Sequence, residues 1–131
     1  MKKIIALCLA LALALPIIGC TSDQDNENTP PSTEKWYIEG FYLKCDNGAD
    51  MIIADPVGAN PAYPCTMQPN DDTILFTDLT DGDRIKIEVY LVEEAYPAQT
   101  TVYSIEKISD GERADIPSDI ISSLSELGWV N

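Results

Sequence analysis

Hydrophobic and polar positions change rhythm three times along the chain. Residues 4–18 are nearly all apolar, and residues 21–34 are polar apart from two prolines. From residue 35 onward the chain turns dense in aromatic and β-branched residues, and residues 84–92 alternate with a period of two. Residues 36–44, 50–54, 73–76, 84–92 and 100–108 read as strands, the fourth especially rich in β-branched residues. Gly40 falls within the first of them, where a bulge or a sharp bend is expected. Asp46-Asn47-Gly48, Asp81-Gly82-Asp83 and Asp110-Gly111 are turn signals between strands. Residues 55–72 carry Pro56, Pro61, Pro64 and Pro69, and read as a long loop with room for one short extended piece. The period then changes. Ile120, Ile121, Leu124 and Leu127 share one face of a helix that opens at Pro117 or Ser118. Asp119 suits the first turn, Gly128 suits the end, and Trp129 is expected to pack back on the body.

This pattern predicts a mainly β fold: a small OB-like Greek-key barrel of about five strands with a C-terminal α-helix. A glycine in a bent first strand suits closure. The rival arrangement is a small open α+β sheet with the helix on one face.

The N-terminal apolar stretch is 15 residues long, whereas a membrane-spanning helix needs about 20. Behind Lys2 and Lys3 it reads as a secretory signal peptide. It ends at Pro16-Ile17-Ile18-Gly19-Cys20, which resembles a bacterial lipobox. Ile17 supplies the aliphatic position and Gly19 the small one; Ile18 stands where Ala or Ser is usual. The resemblance implies cleavage after Gly19 and a diacylglyceryl group on the Cys20 sulfur. Two or three acyl chains would hold the protein stably on a bilayer. The expected organisation is therefore a lipoprotein signal peptide at 1–19, a lipidated Cys20 with an acidic disordered tether at 20–34, and an OB-like domain at 35–131. The tether cannot bury enough apolar surface to offset its ordering entropy. As a coil it spans roughly 20 Å, and fully extended about 45–50 Å.

Charge and composition narrow the chemistry. The chain has 22 acidic and 8 basic residues, a net charge of −14, and no histidine. Ser-His-Asp and Cys-His catalysis and His-ligated zinc are excluded. Cleavage after Gly19 removes Lys2 and Lys3 but no acid, so the remaining 112 residues carry −16. Nucleic acid is disfavoured, because phosphate contacts need Lys and Arg. Tyr37, Phe41, Tyr42, Phe76, Tyr90 and Tyr103 could in principle stack bases on an OB face, but only six cations accompany them, and they read as core.

Cys8 leaves with the signal and Cys20 is the anchor, so Cys45 and Cys65 have one available pairing. An extracytoplasmic setting favours a Cys45–Cys65 disulfide. It would be worth roughly 3 kcal/mol by chain entropy. Two buried free thiols are the other reading.

Leu79-Thr80-Asp81-Gly82-Asp83-Arg84-Ile85-Lys86-Ile87 is followed by Glu93-Glu94-Ala95-Tyr96-Pro97-Ala98-Gln99 and Tyr103-Ser104-Ile105-Glu106-Lys107-Ile108. This order resembles the YobA-like group of small OB-like lipoprotein domains of Gram-positive bacteria, whose members carry a Gly-Asp strand start and Glu-Ser-Tyr-Pro-Ala-Gln. Ala95 replaces the usual Ser. Asp110-Gly111-Glu112, Asp115-Ile116-Pro117 and the segment from Leu124 to Trp129 are similar to clostridial members. The resemblance implies an extracytoplasmic β-barrel and no assigned activity.

Glu94, Tyr96 and Gln99 are the candidate ligand contacts, at a barrel rim. The competing reading is a strand connection in which Pro97 forces Tyr96 out of helical geometry. Asp71, Asp72, Asp78, Asp81, Asp83, Glu93 and Glu94 offer oxygen ligands but lack the spacing of an EF-hand loop, and read as turns and a solvated face. No metal, cofactor or catalytic residue is expected. The leading expectation is a membrane-anchored extracytoplasmic lipoprotein acting as a non-enzymatic binding or accessory module. Its partners would be the bilayer, through acylated Cys20, and a basic protein, peptide or cell-wall component. The alternatives are a small carboxylate-based hydrolase and a purely structural envelope protein.

Overall fold

The computed structural model describes residues 34–131, so the signal peptide, Cys20 and nearly all of the tether lie outside the described residues. The fold is mainly β: one mixed sheet of seven strands and a C-terminal helix. The strands are β1 (Trp36–Lys44), β2 (Asp50–Ala54), β3 (Tyr63–Pro69), β4 (Arg84–Val89), β5 (Val92–Glu93), β6 (Ala98–Val102) and β7 (Ser104–Ser109). Their spatial order is β5-β6-β3-β2-β1-β4-β7. The β3–β6 pair is parallel and the others are antiparallel.

β1 serves two neighbours in turn. Its residues 36–41 pair with β4, and its residues 40–44 pair with β2. Gly40 is at the handover, where a Cβ would lie 2.1 Å from the Ile53 carbonyl oxygen. Only glycine allows that approach, which is the physical content of the expected bend.

Alternation along the strands feeds two cores. β2 sends Ile52 and Ala54 into a cluster with Ile38, Tyr42, Cys65, Met67, Ile85, Ile87 and Val102. Its Met51 and Ile53 join Leu43, Cys45, Ile116, Ile120, Leu124 and Val130 instead. The second cluster is the seat of the helix α1, Ser118–Glu126. The helix ends as expected: Gly128 N–H donates to Ser125 O at 3.0 Å and Trp129 N–H to Leu124 O at 2.9 Å, a Schellman closure. Trp129 packs back on the same cluster. Leu127, expected on the buried face, is exposed.

Several expectations are corrected. The two cysteines are not bridged: Cys45 and Cys65 are free and buried. They belong to different core clusters, Cys45 beneath the helix and Cys65 in the cluster of Ile52 and Met67. The Pro-rich segment holds a full strand, β3, between β2 and β6. Its prolines fall at its second and last positions, and β6 joins it only from Cys65 onward, so Pro64 interrupts no pairing with β6. Residues 73–76 form no strand. The Asp71 carboxylate accepts from both the backbone N–H and the hydroxyl of Thr73, turning the chain there. The expected strands 84–92 and 100–108 are each divided, at Tyr90-Leu91 and at Tyr103.

Candidate ligand-binding groove

Trp36 begins β1, Tyr63 begins β3, and Tyr90-Leu91 links β4 to β5. Antiparallel and parallel pairing bring these three points to one end of the sheet, and side chains there line three adjoining depressions. The central one encloses about 560 Å3 between Trp36, Tyr63, Tyr90, Leu91, Val92 and Ala95. Trp36 and Tyr63 also line a second depression of about 320 Å3. Tyr90 and Leu91 also line a third, of about 290 Å3. The depressions share these residues but not one face: Val92 and Ala98 line the central one from the core side of β5 and β6, whereas Glu93, Gln99 and Thr101 line the third from the opposite side.

Local structure holds these walls. The Thr100 hydroxyl donates to the Leu91 carbonyl at 2.6 Å, pinning the β4–β5 link to β6. Tyr90 packs edge-on against Tyr103, with ring centroids 4.7 Å apart. Val57 and Asn60 exchange backbone hydrogen bonds at 3.0 and 2.9 Å, so the loop before β3 folds back and presents Asn60 and Pro61 to the central compartment. Burial pushes the Tyr63 phenol above its ordinary value, which keeps it neutral.

Each compartment carries acid. Glu94 lines the central one, Glu93 the third, and Glu39 the second. None of these three has an ion-pair partner among the described residues. Asp55 also lines the second compartment, but Arg84 occupies both its oxygens at 2.7 and 2.5 Å while stacking over Phe41. Two cations stand at the second compartment, Arg84 on Asp55 and Lys86 opposite Glu39 across the β1–β4 pair. Lys35, Lys44, Arg84, Lys107 and Arg113 pair with acids, and Lys86 sits 4.8 Å from the centroid of the Tyr37 ring.

The candidate contacts divide among these features. Glu94 lines the central compartment and Gln99 the third. Tyr96, joined to Pro97 by a cis peptide bond, is exposed and lines none of the three. The aromatics expected in the core also divide: Tyr42 and Phe76 are buried, whereas Tyr37 and Tyr103 are substantially exposed. Sequence reasoning missed Trp36 and Tyr63. The usable signal was a tryptophan at the very start of a strand, directly after a polar segment.

Among the described residues, no group of three or more Cys, Asp and Glu could hold a metal ion, and no helix is long and apolar enough to cross a membrane. Comparison with protein-family models, with curated proteins and with solved structures gives no match.

Proposed function

We propose that this chain is a lipid-anchored extracytoplasmic binding module, acylated at Cys20 and carried on the tether 20–34, with an OB-like barrel of the YobA-like type as its body. The observation that carries the binding role is the open central depression, where Trp36, Tyr63 and Tyr90 stand with Glu94, an acid with no ion-pair partner among the described residues. Support for the barrel comes from residues 98–109. β6 pairs with β3 and β7 with β4, in separate parts of the sheet order, yet only Tyr103 separates them. One bent segment thus draws both parts together, and the single parallel contact, β3–β6, suits that closure.

The carboxylate-hydrolase reading finds less support. Such chemistry needs two free carboxyls facing across one site. Glu39 and Asp55 share a compartment, but Asp55 is held by Arg84 through two charge-assisted bonds and is not free to act as acid, base or nucleophile. A partner would be cationic, since residues 34–131 carry six Lys and Arg against nineteen Asp and Glu, a net −13.

Fatty-acid labelling tests the anchor. The intact chain should incorporate labelled acyl chains and sediment with membranes, and Cys20→Ala should lose both properties. Undiminished labelling of the variant overturns the anchoring.

A further inference from the structure

The central depression opens from the first core cluster. Trp36 lies two positions before the buried Ile38 on β1, and Tyr63 two positions before the buried Cys65 on β3, so each shares a strand face with that cluster. Ala98 belongs to the cluster, and Tyr63 and Val92 pack against it. The depression is therefore the exposed end of an apolar core, walled by three aromatic side chains, Trp36, Tyr63 and Tyr90. Among the described residues, Glu94 alone brings a charge to its walls. Lys35, one residue before Trp36, faces Glu88 at 3.9 Å and does not line it.

We propose that the central depression binds a free, small organic cation bearing a methylated ammonium group, seated among Trp36, Tyr63 and Tyr90 with Glu94 as its counter-charge. This rests on the binding-module reading and names its ligand class. The walls select this occupant. A carboxylate set among apolar side chains repels an anion. A metal ion needs several oxygen ligands, and Glu94 supplies the one carboxylate. A strongly hydrated ion would shed its water here with few polar groups to replace it. A methylated ammonium presents apolar methyl groups, and both the aromatic quadrupoles and the carboxylate attract it. The depression's volume, about 560 Å3, suits a small molecule. The net charge of −13 on residues 34–131 favours the approach of a cation.

The test is calorimetric titration of the full chain, in nonionic detergent micelles, with choline. The neutral isostere of choline, in which a tert-butyl group replaces the trimethylammonium, should bind roughly tenfold more weakly. Glu94→Gln and Trp36→Leu, both at exposed positions, should each weaken choline binding by roughly fivefold or more. Glu93→Gln removes the same charge from the neighbouring residue, which lines the third depression instead, and should change binding little. Phosphocholine, the soluble form of a lipid headgroup, should bind no more tightly than choline. Equal weakening by Glu93→Gln and Glu94→Gln, or no effect of Glu94→Gln and Trp36→Leu, overturns the site assignment. Equal binding of the neutral isostere overturns the cation and leaves an apolar binding site. Tighter binding of phosphocholine than of choline overturns the free cation in favour of a headgroup. Uptake of an N-acetylglucosamine tetrasaccharide without choline overturns the ligand class but keeps a binding module. Binding of no probe overturns the proposal and removes the support that the depression lends to the module reading.

Discussion

The wholly buried carboxylate of Asp83 accepts a hydrogen bond at 3.1 Å from the backbone N–H of Gly111, 28 residues further along the chain. Its other oxygen accepts from the Thr80 N–H at 2.9 Å and faces the Lys107 ammonium at 3.5 Å. The backbone of the same residue accepts from Tyr42 N–H at 2.8 Å. One side chain therefore clasps the turn before β4, the end of β7 and the approach to the helix.

Burial alone would raise the Asp83 pKa, but the two backbone donors and Lys107 outweigh it and hold the carboxyl below its ordinary value. The folded value lies below that of the unfolded chain. The stability it contributes is complete above the usual aspartate range near ~4, and is lost as pH falls through the folded value. Asp83→Asn should cost about 3 kcal/mol at neutral pH, because an amide nitrogen would face a backbone donor in a buried site. Urea midpoints measured across pH check both points: the variant should be less stable at neutrality and lose less on acidification.

Gly82 and Gly111 meet backbone to backbone beside this clasp. A Cβ on Gly82 would lie 1.9 Å from the Glu112 carbonyl oxygen, and one on Gly111 would lie 2.0 Å from the Gly82 oxygen. Gly82 also has φ +93. Alanine at either site should cost about 2 kcal/mol or more, the range of mutations that force backbone strain or overpacking. Thermal melts of the two single variants and the double variant check this. The double should fall short of the sum of the singles, since either Cβ pushes the same two strands of backbone apart.

Cys45 and Cys65 should behave as inert thiols. Burial, with the nearby Asp46 and Asp50 charges, pushes Cys45 up to about 11, and burial pushes Cys65 up to about 12. Thiolate is the reactive form, so little is present at neutral pH. Alkylation without reductant, followed by peptide mass mapping, should modify both residues in denaturant and neither in the native chain.

Arg84→Lys should separate geometry from charge. The guanidinium makes two parallel bonds to Asp55 and lies 4.8 Å from the centroid of Phe41. An ammonium keeps the charge but not the fork or the flat face. The pair is partly exposed, so the expected loss is about 1 kcal/mol. Denaturant midpoints of Arg84→Lys and Arg84→Met should lie close together if the fork carries the interaction.

Legibility in the sequence followed the strength of local signals. The helix was plain because Ile120 and Leu124 fall on one face and Gly128 terminates it, all within a dozen residues. β4 is plain from alternation, and β1 and β2 from aromatic and β-branched residues bounded by the Asp46-Asn47-Gly48 turn. β3 was hidden by Pro64 and Pro69, because local reading counts a proline against a strand without knowing which neighbour it faces. The strand expected at 73–76 fails because Asp71 offers Thr73 a side-chain acceptor that competes with sheet pairing. The cysteines show the same limit. Spacing permits a bridge between Cys45 and Cys65, but the clusters they join are set by strand parity and pairing partners far along the chain. The groove was the least legible feature. Trp36, Tyr63 and Tyr90 are each 27 residues from the next, and only the order of the sheet assembles them. Glu94 and Gln99, singled out together with Tyr96 by one local motif, line two different depressions.

The handover at Gly40 also decides how the domain bears load. A pull on the N-terminal end of β1 acts along that strand. That strand is paired over six positions with β4 and over five with β2. The pull is therefore a shear against two flanking ladders, which must yield together, and not a peeling force that opens one hydrogen bond at a time. A pull on β1 is thus carried into the interior of the sheet rather than into its edge.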